Sequence, residues 1–82
     1  MCKEQVLMNI CDWFEFEVVY EQEKLVMISC WGKEYDHVYD SIDNALIDWL
    51  NTLEEADDYA KKYDNEAKYW DEEIKFIKSL QK

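Results

Sequence analysis

The fold is decided by residues 40–80, which read DSIDNALIDWLNTLEEADDYAKKYDNEAKYWDEEIKFIKSL. Apolar or small side chains recur there at alternating steps of three and four residues, the spacing of one face of an α-helix. This apolar stripe consists of Ile42, Leu46, Trp49, Leu53, Ala56, Ala60, Tyr63, Ala67, Trp70, Ile74 and Ile77. Ser41 immediately precedes the stripe and is a favoured helix N-cap residue. The stretch is therefore predicted to be largely helical.

A single helix over the whole stretch would be about 60 Å long at ~1.5 Å per residue, roughly twice the width of a compact domain of this size. We therefore expect a break. The first choice is Asp64-Asn65, a weak helical pair that can cap a new helix. The second is Asn51-Thr52, where Thr52 and Glu55 have the spacing of a capping box.

The amino-terminal half is predicted to form a short helix and three strands. Residues 3–11 have apolar side chains at helical spacing, residues 13–20 alternate with a period of two, and residues 25–31 and 34–39 are rich in β-formers. The expected fold class is α+β, in the order αβββαα. It has a short N-terminal helix, a three-stranded antiparallel sheet and two C-terminal helices packed on the sheet, in a single domain spanning residues 1–82.

The pairing of the strands is predicted from turns and pattern. Gly32-Lys33 suits a type II′ hairpin turn, which would place Ile28 opposite His37. The first hairpin has no glycine, so the pattern must set its register. One face is expected to hold Phe14, Phe16, Val18, Val26, Ile28 and Cys30. The opposite face would hold Val19, Leu25, Met27, Trp31 and Val38, covered by the N-terminal helix or by a partner.

Composition restricts the class of protein. The 82 residues are 49% hydrophobic and 16% aromatic, which indicates a folded chain rather than a disordered acidic one. Cys2, Cys11 and Cys30 are odd in number and share no short spacing with one another or with His37, so neither a disulfide framework nor a metal site is expected. A signal peptide and a membrane span are absent from the pattern. The expected location is the cytoplasm of a bacterial host cell.

Charge restricts the partners. The chain has twenty acids, nine lysines and no arginine, for a net charge of −11, so direct binding to nucleic acid is not expected. Twelve of the acids lie between Asp40 and Glu73, against three lysines. The expected partner is a basic nucleic-acid-binding protein, because carboxylates on a rigid helix can occupy the lysines and arginines that normally receive phosphate.

No catalytic pattern is present. Asp36 and His37 are successive strand residues and should point to opposite faces, and no nucleophile motif accompanies them. We predict a protein that is not an enzyme and has no cofactor. The residues predicted to bind a partner are Glu54, Glu55, Asp57, Asp58, Tyr59, Asp64, Glu66, Tyr69, Asp71, Glu72 and Trp31. The opposing interpretation is that the charge only keeps a small domain in solution.

The architecture resembles small acidic phage-type inhibitors, in particular anti-CRISPR proteins that mimic DNA. The resemblance is carried by Phe14-Glu15-Phe16-Glu17-Val18-Val19-Tyr20, by the segment Ser41 to Leu53 and by the acids from Glu54 to Glu73. It implies a stoichiometric inhibitor that occupies the DNA site of a CRISPR effector or blocks its loading, with restriction enzymes as another target. The alternative is a helix-mediated homodimer or assembly module, because the stripe also suits intermolecular packing.

Overall fold

A computed structural model describes residues 1–63 and 67–81. The helices are α1 (Lys3–Phe14), α2 (Ile42–Tyr63) and α3 (Asp71–Leu80), and the strands are β1 (Phe16–Glu21), β2 (Lys24–Ser29) and β3 (His37–Tyr39). A 3₁₀ turn at Lys33–Tyr35 lies between β2 and β3. The strands form one antiparallel sheet in the order β1-β2-β3. The predicted α+β class and αβββαα order are confirmed.

The chain divides into two compact units, Met1–Leu46 and Ile47–Lys82. The first contains α1, the sheet and the start of α2, and the second contains the rest of α2 and α3. The buried apolar residues of the first unit are Val6, Leu7, Ile10, Cys11, Leu25, Met27, Ala45 and Leu46. Those of the second unit are Trp49, Leu50, Leu53, Ala60, Trp70 and Ile77. Trp49 and Trp70, two members of the apolar stripe, are thus core residues of this unit.

Helix α1 extends beyond the predicted residues 3–11. Trp13 and Phe14 belong to the helix and not, as the alternating pattern suggested, to the first strand. Glu15 ends the helix in the left-handed region, at φ 65° and ψ 56°, and its N–H binds the carbonyl of Cys11. The strand therefore begins only after this C-cap, at Phe16.

The first hairpin has a two-residue turn built without glycine. Gln22 and Glu23 both have positive φ, 50° and 67°, as the two central residues of a type I′ turn require. Glu21 consequently pairs with Lys24, and Val18 with Met27. The predicted register is thus wrong by one residue, because the pattern could not reveal a turn that its residue types disfavour.

The second hairpin is also one residue from its predicted register. Gly32 has φ 144° and ψ 156°, which is not a type II′ geometry, and the 3₁₀ turn lengthens the connection. The carboxylate of Asp36 accepts a hydrogen bond of 2.8 Å from the N–H of Ser29. His37 therefore faces Met27 rather than Ile28.

These registers exchange the predicted faces of β2. Leu25 and Met27 are 2% and 0% exposed and share a face with Val18, so they are core residues and not members of an apolar patch. On the other face, Val19 lies opposite Val26, which lies opposite Val38. We call Val19, Val26 and Val38 the valine row; it is half-buried to exposed, with Val38 64% exposed.

Helix α2 begins as predicted, since the N–H of Asn44 donates to the hydroxyl of Ser41 over 3.1 Å. It continues through Asn51-Thr52, so a break at that pair is wrong: buried Leu50 and Leu53 on either side continue the apolar stripe. The structure describes α2 as far as Tyr63. The Asp64-Asn65 pair lies outside the described residues, and the next helix begins at Asp71.

Replacing Gln22-Glu23 by Asn-Gly is expected to raise the free energy of unfolding by about 1 kcal/mol. A left-handed conformation costs an ordinary L-residue roughly 1–2 kcal/mol, and glycine's greater freedom in the unfolded chain offsets part of the gain. Urea denaturation measures the change. Glu17→Gly, in the middle of β1, is the control and should lower stability. An unchanged or lower urea midpoint for the turn variant would contradict the assignment of a type I′ turn.

Candidate functional site

The second unit contains most of the predicted partner-binding residues. Those from Glu54 to Tyr59 lie on α2, while Tyr69, Asp71 and Glu72 lie just before or at the start of α3. Asp64 and Glu66 lie outside the described residues, and Trp31 belongs to the first unit. Helices α2 and α3 border a groove of about 400 Å³. Its lining residues are Glu54, Asp57, Asp58, Asp71, Ile74, Lys75 and Lys78.

Asp57 is a structural residue of this unit and not part of its surface. Its side chain is 7% exposed. One carboxylate oxygen accepts a hydrogen bond of 2.8 Å from the N–H of Trp70, and the other lies 2.9 Å from the ammonium of Lys61. Burial alone raises the pKa of Asp57, but the hydrogen bonds from Lys61 and Trp70 outweigh it and leave the pKa below its ordinary value.

The burial of Asp57 could have been predicted from its position relative to the apolar stripe. Asp57 lies four residues after Leu53 and three before Ala60, both of which are buried. This spacing places it on the core side of α2. What the helical pattern could not show is its hydrogen-bond donor, the backbone of Trp70, thirteen residues further along the chain.

Lys61 ties the two helices of the unit together. Its ammonium is 2.6 Å from a carboxylate oxygen of Asp71, in addition to its contact with Asp57, and 5.9 Å from the ring centroid of Tyr69. The hydrogen bonds to Asp71 and Asp57 raise the pKa of Lys61. Asp71 therefore has a cation partner within the protein, although its side chain is 63% exposed.

Other lysines neutralise further acids of the same unit. Glu73 is 3% exposed, and its carboxylate lies 2.9 Å from the ammonium of Lys68. The same ammonium lies 4.6 Å from the ring centroid of Trp70. Glu54 lies 3.5 Å from the ammonium of Lys78. These pairs reduce the set of acids that can act on a partner.

Among residues 47–63 and 67–81, the exposed acids Glu55, Asp58 and Glu72 have no lysine partner. Exposed tyrosines accompany them. Tyr59 is 62% and Tyr63 74% exposed, and their ring centroids are 5.1 Å apart. We call Glu55, Asp58, Tyr59, Tyr63 and Glu72 the anionic surface. It is smaller than the predicted set and is mostly carried by α2.

The first unit contains an aromatic pocket that the sequence analysis missed. Its volume is about 390 Å³. It is lined by Phe16, Ser29, Trp31, Glu34 and Tyr35. Trp31, one of the residues predicted to bind a partner, is 70% exposed. The available signal was the presence of Trp31 and Tyr35 on either side of the chain's single glycine, Gly32.

Cysteine and histidine side chains were considered for catalysis or metal binding, and the structure shows their surroundings. Burial raises the pKa of the Cys11 thiol to about 11. The ring of His37 lies 5.8 Å from that of Phe16 and 5.9 Å from that of Tyr39, centroid to centroid. Within residues 1–63 and 67–81, no cluster of histidine, cysteine and acidic side chains is arranged to hold a metal ion. Over the same residues, no helix combines the length and the apolarity that crossing a bilayer requires.

No protein-family model, curated protein or solved structure matches the chain. The function is therefore argued from the charges, exposures and contacts of its own side chains.

Asp57→Ala is expected to lower the free energy of unfolding by about 3 kcal/mol, because it leaves the buried N–H of Trp70 without its acceptor and removes one partner of Lys61. Urea denaturation at pH 7 measures the loss. The matched control is the neighbouring exposed acid, Asp58→Ala, which should change stability by no more than about 0.5 kcal/mol. Equal effects of the two substitutions would contradict a structural role for Asp57.

The contribution of Asp57 should also depend on pH. Its folded-state pKa lies below the ordinary 3.8, so the stabilisation is fully present above that ordinary value and is lost as the pH falls through the lower folded value. The stability difference between the wild type and Asp57→Asn should accordingly be constant near neutrality and shrink below about pH 4. A difference that stays constant or grows in acid would show that the carboxylate charge does not stabilise the fold.

Proposed function

We propose that this protein is a non-enzymatic inhibitor that binds a nucleic-acid-handling protein, of the CRISPR effector type, through the anionic surface. The observation that supports this most directly is the selective pairing of the acids. Local lysines pair with Asp57, Asp71 and Glu73, whereas Glu55 and Asp58 are exposed and have no lysine partner among residues 1–63 and 67–81. An exposed carboxylate without a local lysine partner is available to form an ion pair with a cationic side chain of another protein.

The geometry of α2 suits the replacement of phosphates. Glu55 and Asp58 are three residues apart, a rise of about 4.5 Å along the helix axis, comparable with the ~3.4 Å rise per phosphate of one DNA strand. A rigid helix holds the carboxylates in place before binding, so little conformational entropy is lost on association. They can therefore occupy lysine and arginine side chains that a DNA backbone would otherwise contact.

Tyrosines give this surface more than charge. Tyr59 and Tyr63 lie on the same helix as Glu55 and Asp58 and are 62% and 74% exposed. Aromatic rings bury a large area on binding and stack favourably on arginine. Binding would then proceed by electrostatic steering, which accelerates the encounter, followed by anchoring through the rings.

The alternative function, a helix-mediated homodimer, was suggested by the apolar stripe, because such a stripe could pack against a second copy of the chain. Most of the large members of the apolar stripe, including Leu46, Leu53 and Ile77, are already buried in the single chain, although Tyr63 is exposed. An apolar seam for a second copy is therefore not exposed at these positions. Light scattering would identify a dimer if one forms by another surface.

The combined variant Glu55→Gln/Asp58→Asn/Glu72→Gln is expected to weaken inhibition at least tenfold, because each exposed carboxylate contact contributes on the order of 1 kcal/mol. The assay measures displacement of labelled target DNA from purified CRISPR effectors and restriction enzymes by fluorescence anisotropy. The matched control, Glu4→Gln/Asp12→Asn/Glu23→Gln, removes the same charge from exposed positions of the first unit and should inhibit like the wild type.

Lys62 provides a gain-of-function test. It is exposed one turn after Asp58 on α2, so Lys62→Glu should strengthen inhibition, and affinity should fall as salt rises. Failure of every enzyme in the panel to bind, affinity indifferent to salt, or equal losses in the triple variant and its control would each refute the proposal.

A further inference from the structure

The aromatic pocket of the first unit has the features of a binding site for a cation. At about 390 Å³ it lies at the lower end of the range of small-ligand sites, about 300–1,000 Å³. Trp31 and Tyr35 are 70% and 55% exposed, so both side chains are accessible to a ligand. Phe16, Ser29 and Glu34 complete the lining.

Hydrogen bonds to the end of β2 fix this pocket. The N–H of Trp31 donates to the hydroxyl of Ser29 over 3.0 Å, and the carboxylate of Asp36 accepts from the N–H of Ser29. Tyr35 is held by a bond of 3.1 Å from its N–H to the carbonyl of Gly32. These bonds attach the backbone of Trp31 and the carboxylate of Asp36 to the end of β2, so the backbone on both sides of Gly32 is held at the sheet.

Gly32 makes room for a carboxylate in the pocket. A Cβ atom at this position would lie 2.8 Å from Oε2 of Glu34 and 3.1 Å from Oε1, so the carboxylate occupies the space that any other residue would fill. Within residues 1–63 and 67–81, no lysine is paired with Glu34, and none lies over the rings of Trp31 or Tyr35. The pocket thus presents a carboxylate and aromatic faces that no cation of the described chain occupies.

We propose that this pocket receives the guanidinium group of an arginine side chain from a basic partner protein. The face of an aromatic ring attracts cations, and a carboxylate binds the planar fork of a guanidinium through two parallel hydrogen bonds. Arginine is also more weakly hydrated than lysine and stacks on rings. The chain has no arginine of its own, and its net charge of −11 attracts a basic partner.

An uncharged ligand fits the pocket less well. It would bury the carboxylate of Glu34 without a positive partner, which is unfavourable. A lysine would make a point contact and lose more hydration. The inference does not depend on the proposed function, since the pocket lies in the first unit and is tested with its own ligand and its own variants.

The experiment is an NMR titration of isotope-labelled full-length protein at physiological salt. The probe is a blocked tripeptide with a central arginine; the same tripeptide with citrulline is its uncharged analogue of nearly identical shape. The arginine peptide should give saturable shifts of the Trp31 indole N–H and the Tyr35 amide, and the citrulline peptide should give none. Glu34→Gln should weaken arginine binding at least about fivefold and Trp31→Ala at least about tenfold.

Two variants separate this site from general charge effects. Glu23→Gln removes one exposed carboxylate at the other end of the hairpin, and Glu55→Gln/Asp58→Asn/Glu72→Gln alters the anionic surface; both should bind the arginine peptide like the wild type. Equal binding of the citrulline peptide would show that the pocket does not recognise the charge of the ligand, and would overturn the assignment. Tighter binding of lysine or tetramethylammonium, or no saturable shift at Trp31, would equally overturn the assignment.

Discussion

The buried carboxylate of Asp57 is the interaction on which the second unit depends. It joins the middle of α2 to the residue that precedes α3, through the N–H of Trp70, and it orients Lys61 toward Asp71. A charge removed from water is stabilising only when its partners are complete, and Asp57 has both a backbone donor and an ammonium. Trp70, fully buried beside this contact, is thereby fixed at the start of the last helix.

The acids between Glu54 and Glu73 therefore have two different roles, one structural and one at the exposed surface. The buried carboxylates of Asp57 and Glu73 bind Lys61 and Lys68, and Asp57 also binds the backbone of Trp70. Glu55 and Asp58, in contrast, are exposed on α2. A count of charges gives no information about this division, since all four are acids in one run of sequence. The lysines provide it, because each lysine that pairs with an acid inside the unit reduces the interaction that this acid can make with a partner.

The sequence was sufficient to predict those features of the fold that the residues of one helix determine. The spacing of the apolar stripe and the hydroxyl of Ser41 predicted α2 and its start, and the class and order of the elements followed. Strand registers depended on turns that the residue types disfavour, with Gln22 and Glu23 in left-handed conformations. The aromatic pocket depended on Glu34 folding over Gly32, which only three-dimensional positions reveal. The periodicity of a sequence does not predict contacts between segments that are distant along the chain.

The valine row also sets how copies of this chain behave in solution. The sheet has two edges, and the β3 edge is only three residues long, while the β1 edge carries Glu17 and Glu21. Short, charged edges discourage strand addition, and mutual repulsion at a net charge of −11 keeps the row from stacking on that of a neighbour. Near the isoelectric point of about 4.3 this repulsion vanishes. Colloidal stability therefore rests on the ionised carboxylates rather than on a covered sheet.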